Sequence, residues 1–169
     1  EEGASEGARE AGVSKTVLVC LAPGVCRIHE TRRKVPRSDK PLRFMEFCRS
    51  RIKGARIAEI CQLGSDRIVR VTLDRGSERL FMFIRLWSGA ANIVVTDANL
   101  AILDVFFRRP KRGEITGGLW EIPESRAADP GKPPRIFSPR VLPGEGSFNE
   151  RIDRWYAEHA QTLSREALV

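Results

Sequence analysis

The clearest alternation of apolar and polar positions lies between residues 67 and 74, where Ile68, Val69, Val71 and Leu73 interleave with Arg67, Arg70, Thr72 and Asp74. A period of two predicts a strand with one face on a core and the other toward water. Upstream, residues 56–63 also alternate, but Ile60 falls out of step with Ile57, Cys61 and Leu63. The strand predicted there is an irregular one. Further strands are predicted over 79–87, 91–97 and 101–107, joined through the turn-forming residues Gly76, Gly89 and Asn99. Links this short join antiparallel neighbours. Two brief strands, 16–20 and 25–29, precede these, with Ala22, Pro23 and Gly24 turning the chain between them.

Two stretches follow a helical period instead. Pro41 suits a first helical turn, Asp39 is a candidate cap, and Leu42, Phe44, Met45, Cys48 and Ile52 form an apolar stripe opposite Arg43, Glu46, Arg49, Arg51 and Lys53. Gly54 ends that helix. Near the end of the chain, Ser147 and Glu150 are spaced as a capping box, and the helix they open carries Ile152, Trp155, Tyr156, His159 and Leu163. Its apolar stripe either docks on the sheet or pairs with another chain. The resulting fold class is α+β, an antiparallel meander curled into a β-sandwich or open barrel, with one packed helix and a C-terminal helix. Residues 1–14 are expected to be a flexible lead, 15–124 a β-rich domain, 125–146 a Pro/Gly/Arg-rich connector and 147–169 the C-terminal helix.

Composition narrows the partners. A chain of 169 residues with 41% hydrophobic content has the size of one domain with a real core. Its 29 Lys and Arg exceed 22 Asp and Glu, leaving a net charge of +7 that attracts polyanions, with nucleic acid or an anionic membrane surface as the usual candidates. No run of 18 apolar residues exists to insert into a bilayer, and Glu1 and Glu2 occupy the end where a signal peptide carries positive charge. The spacing of Cys20, Cys26, Cys48 and Cys61 matches neither a zinc site nor a Cys-x-x-Cys pair. Free thiols and a reducing compartment are expected, and Cys20 with Cys26 is the one pair placed to bridge a hairpin. With His29 and His159 the only histidines, neither an enzyme nor a cofactor or metal is expected.

Candidate binding chemistry sits where turns meet strands. Asp66 and Arg67 follow Gln62, Leu63, Gly64 and Ser65 into the 67–74 strand. Either Asp66 bonds turn amides while Arg67 is merely solvated, or the two form a recognition pair, the arginine forking to phosphate or stacking on a base beside a carboxylate that accepts from amines or hydroxyls. Directly after the last strand, Arg108, Arg109, Lys111 and Arg112 are a solvated loop or a patch of four cations for phosphate.

The string from Lys40 through Asp66, Arg67 and Ile68 to Ala91-Asn-Ile-Val-Val-Thr-Asp97 resembles the N-terminal domain of the NFACT family, the fibronectin-binding protein A and ribosome quality-control proteins. The family's proline-started helix, Gly-Gly-Arg-Ile-like strand entry, Gln-x-x-x-Asp-Arg-Ile segment and Asn-Ile-Ile-Leu-x-Asp strand recur in that order. Upstream, Arg27, Ile28 and His29 look like its Arg-Ile-His segment, and Trp120 stands in the aromatic place of its Gly-x-x-Tyr-x-x-Pro segment. The usual Glu-Leu-x-Gly-Arg-x-Ser-Asn is here the stretch from Arg85 to Asn92. Set against the family pattern, the first elements and the coiled-coil arms are not seen in these residues, and a fragment or a reduced relative is expected.

The resemblance implies a first domain similar in fold to the N-terminal domain of formamidopyrimidine-DNA glycosylases, without their chemistry, and a C-terminal helix leading toward a coiled coil, with self-association through it as one outcome. It also implies binding to stalled large ribosomal subunits and to tRNA. The family's Asp-Arg pair maps onto Asp66 and Arg67, and Arg27, Arg108, Arg109, Lys111 and Arg112 join it as expected nucleic-acid contacts. A cytoplasmic RNA-binding module is the first reading. A cell-surface adhesin for fibronectin is the alternative, and a glycosylase is set aside because the chain has no N-terminal proline.

Overall fold

In the computed structural model, which describes residues 14–34, 39–122 and 144–159, the predicted alternations become two antiparallel sheets. A hairpin pairs β1 (Val17–Cys20) with β2 (Arg27–Glu30). The larger sheet runs β3 (Arg56–Gln62), β4 (Ile68–Arg75), β5 (Glu78–Arg85), β6 (Asn92–Thr96) and β7 (Ile102–Val105), each strand pairing with its neighbour in sequence. It is an open meander with β3 and β7 at its edges. The expected lead over 1–14, the connector over 125–146 and the last turns of the 147–169 helix, Leu163 included, fall almost wholly outside the described residues.

The irregularity of the first long strand has a geometric cause. Ile57 pairs with Leu73 but Glu59 pairs with Thr72, so Ala58 is an extra residue. This bulge resets the alternation and brings Ile57 and Ile60, opposite Leu73 and Val71, onto one face. Both stay about 60% exposed along the sheet edge, 58% and 61% respectively.

Both faces of the sheet carry a core. On one, Ile68, Phe83, Val94, Ile102 and Val105 pack with Trp120. On the other, Val71, Leu73, Leu80, Ile84 and Leu86 meet Val19, Leu21, Cys26 and Ile28 of the hairpin together with Ile52 and Ala55. Trp120 is brought in by residues 117–120, which follow the outer edge of β7 through an Ala101–Leu119 bridge and a 2.8 Å bond from the Trp120 amide to the Leu100 carbonyl. The close approach demands glycine at 118, where a Cβ would lie 2.4 Å from the Gly113 carbonyl oxygen.

The helix predicted over 41–53 is shorter and wider than expected. α1 (Arg43–Phe47) runs into a π-helical turn, Cys48–Ile52, closed by a 2.8 Å bond from the Lys53 amide to the Cys48 carbonyl. Leu42 holds the cap position without a side-chain cap bond, so Asp39 does not cap it. What fixes α1 is Arg43, whose guanidinium meets Asp104 and the Val105 carbonyl on β7. α2 (Phe148–His159) begins as predicted: the Ser147 amide donates to Glu150 at 2.8 Å and the Glu150 amide to the Ser147 hydroxyl at 3.3 Å. It docks on β2, where Asp153 accepts from Thr31 at 2.7 Å and lies 3.3 Å from the buried His29 ring.

All four cysteines are free. Cys20 pairs with Arg27, which puts Cys26 on the alternate face of the hairpin and removes the geometry for a bridge. The Cys26 thiol donates to the Ala22 carbonyl instead, at 3.3 Å.

Candidate nucleic-acid interface

The meander puts three connections at one end of the large sheet. β4 and β6 start there and β5 and β7 finish there, so residues 63–67, 86–91 and 106–113 form one rim. From β4 to β7 the rim spans three strand spacings, about 14 Å.

Asp66 and Arg67 divide the work within the first connection. Asp66 faces inward: its Oδ1 accepts from the Arg67 amide at 2.6 Å and from the Trp87 indole at 2.7 Å. Its carbonyl accepts from the Gln62 side chain at 2.7 Å, and Gly64 supplies the positive φ of 54° that the turn requires. The Arg67 carbonyl accepts from Leu86 at 2.8 Å, so its backbone is held at both ends of the residue. Its side chain is exposed and makes no hydrogen bond or ion pair among the described residues. Its charge is felt at Cys26, where burial raises the thiol pKa, with Cys20 adding to the rise and Arg67 opposing it.

The basic loop divides in the same way. Arg108 is exposed, and so are Lys111 and Arg112 in the 3-10 turn Pro110–Arg112; none of the three makes an ion pair among the described residues. Burial lowers the Arg43 pKa, and the charge of Arg108 adds to that effect. Arg109 is engaged internally, donating to the Ala91 carbonyl at 3.0 Å and lying 3.9 Å from Glu114. Arg27 is engaged with α2. Its guanidinium sits 3.5 Å from the centroid of the Tyr156 ring on α2 and donates to the Val25 carbonyl, a packing role at the helix interface.

Sequence reasoning missed the residues that connect these pieces. Arg85 ends β5 fully buried, bonding Glu114 at 2.6 Å and the Ala90 carbonyl at 2.8 Å, with its guanidinium 5.1 Å from the Trp87 ring and 5.4 Å from the Trp120 ring. Asn92 bonds Glu114 at 2.7 Å from the start of β6. An unbroken set of contacts therefore runs from Asp66 through Trp87, Arg85 and Glu114 to Arg109. The available signal was a single arginine at the end of the apolar run from Leu80 to Ile84. Among the described residues no group of three His, Cys, Asp or Glu is placed to hold a metal, and no helix is long and apolar enough to cross a membrane.

A family model described as NFACT N-terminal and middle domains matches residues 7–133. This chain belongs to the NFACT family. It is 32% identical over 108 residues to the ribosome quality control complex subunit NEMF of Mus musculus and to that of Homo sapiens, a match covering 62% of this chain and 10% of each relative. A Drosophila melanogaster homologue is 27% identical over 122 residues, covering 72% of this chain and 12% of the relative. This NFACT chain thus spans about a tenth of the curated relatives it matches. Among solved structures, it is similar to the N-terminal domain of fibronectin-binding protein PavA from Streptococcus pneumoniae, with a TM-score of 0.58 and 24% identity, covering 66% of this chain and 46% of that one. The N-terminal part of a Streptococcus suis fibronectin/fibrinogen-binding protein gives a TM-score of 0.61 at 20% identity, covering 69% and 48%. These last two likenesses establish the fold.

Proposed function

We propose that this chain is the RNA-binding module of a cytoplasmic ribosome quality-control protein, contacting tRNA and the large ribosomal subunit without catalysing a reaction. The observation that carries the reading is Arg67, an exposed guanidinium that makes no ion pair among the described residues, on a backbone held by Asp66 and Leu86. With its backbone already held, Arg67 loses chiefly the rotamer entropy of its side chain when the guanidinium forks to phosphate or stacks on a base. Arg108, Lys111 and Arg112 lie along the same rim and extend the positive surface. The names of the NEMF relatives supply the ribosomal context. Asp66 acts in this scheme by holding the connection in shape.

Fluorescence anisotropy with labelled tRNA tests the reading. Arg67→Ala is expected to weaken binding by about 1–3 kcal/mol while leaving the unfolding midpoint in place. Asp66→Ala is expected to lower both, because it strips the Trp87 indole of its acceptor. Unchanged tRNA affinity in Arg67→Ala defeats the proposal. So does fibronectin binding that survives physiological salt and heparin in a protein with no affinity for tRNA, since that result belongs to an adhesin.

A further inference from the structure

Immediately before the basic loop, two aromatic rings stand out of the core. Phe106 is 39% exposed and Phe107 is 42% exposed. They meet edge to face with centroids 4.7 Å apart, and Phe106 in turn packs against Phe44 of α1 at 5.6 Å. Phe107 projects from a fixed support: its amide donates to Asn92 Oδ1 at 2.8 Å, and its carbonyl accepts from Asn92 Nδ2 at 2.9 Å. Asn92 is itself fully buried and tied to Glu114. The Arg109 guanidinium lies 5.7 Å from the Phe107 ring centroid, and Arg108, Lys111 and Arg112 follow in the same loop.

Two half-exposed rings in mutual contact form an apolar patch whose burial by a partner is favourable. The surrounding charge selects the cover. A purely apolar partner would have to desolvate Arg108, Lys111 and Arg112, whereas a nucleotide brings both a π-face for the ring and a phosphate for the cations. We propose that Phe107, braced by Phe106, is a stacking platform for an unpaired base of single-stranded RNA, with the flanking cations holding that nucleotide's backbone. The inference rests on the RNA-binding reading and sharpens it, because bases in a continuous duplex already stack on each other and have no free face to offer a side chain. Arg67 and Phe107 then contact different parts of one RNA along the rim.

The experiment compares the full chain with Phe107→Ala, Phe107→Leu and Phe107→Trp, using a labelled single-stranded oligoribonucleotide and a blunt duplex of the same sequence. Phe107→Ala and Phe107→Leu are expected to lose about 5- to 150-fold in affinity for the single strand, as deletion of one base–aromatic stack does. Duplex affinity and the salt dependence of binding should stay as in the parent. Phe107→Trp should restore single-strand binding and show quenched indole emission when the RNA is added. Retention of single-strand affinity by Phe107→Leu, or an equal loss on single strand and duplex, would overturn the platform. If the platform fails while Arg67→Ala still weakens tRNA binding, the RNA-binding module survives; if neither substitution matters, both readings fall.

Discussion

Arg85 and Glu114 form an ion pair of 2.6 Å in which each side chain is only 5% exposed. It is the joint between the sheet and the basic loop. Glu114 also accepts from Asn92 at 2.7 Å, and Arg85 donates a second bond to the Ala90 carbonyl, so the principal polar groups are satisfied despite burial. Removing one partner leaves an uncompensated charge in the core. Glu114→Ala is therefore expected to lower stability by about 3–5 kcal/mol. Glu59→Ala, which breaks the exposed pair with Arg70, should cost below about 1 kcal/mol. Urea denaturation of both variants checks the ranking, and comparable losses would show that the Arg85–Glu114 pair does not anchor the loop.

The meander was legible in the sequence because alternation is a local signal, and strand edges such as Ile68 and Asn92 lie within a residue or two of where their patterns begin. The bulge at Ala58 was visible as a misfit at Ile60, but its consequence needed the partner strand. Pairings across long sequence separations were not legible. Nothing local ties Asp66 to Trp87, Arg85 to Glu114 or Arg27 to Tyr156, because each depends on which elements the fold brings together. The same limit explains the basic candidates. Sequence treats Arg27 and Arg109 like Arg67 and Arg108, whereas packing turns the first two into internal contacts.

That division predicts how salt affects binding. Each phosphate neutralised by a cation releases counterions and steepens the salt dependence. Replacing Arg108, Lys111 and Arg112 together by glutamate is expected to reduce the slope of log K against log salt by about 2 to 3, with the fold intact. Arg109→Glu should behave differently, placing a carboxylate beside Glu114 and lowering stability before it alters the slope. Titrations of tRNA at several salt concentrations, paired with thermal melts, separate the two. A triple variant with the parental slope would remove this loop from the interface.

The docking of α2 should weaken in acid. Burial pushes the Asp153 carboxyl upward, but the Thr31 hydroxyl, the His29 ring and the charge of Arg33 outweigh it and hold the group below its ordinary value. A carboxylate whose pKa is lower folded than unfolded contributes stability that is fully present above the unfolded pKa, near 4, and is lost as pH falls through the folded value. Glu150, held low chiefly by its bond from the Ser147 amide, acts in the same direction, so the wild type alone cannot isolate Asp153. Asp153→Asn can. Urea unfolding of the wild type and this variant should show the wild type more stable near pH 6, with the gap holding down to about pH 4 and narrowing below it. A gap of constant size across that range would mean that the contact between α2 and β2 depends on the shape of the side chain at 153 and not on its charge.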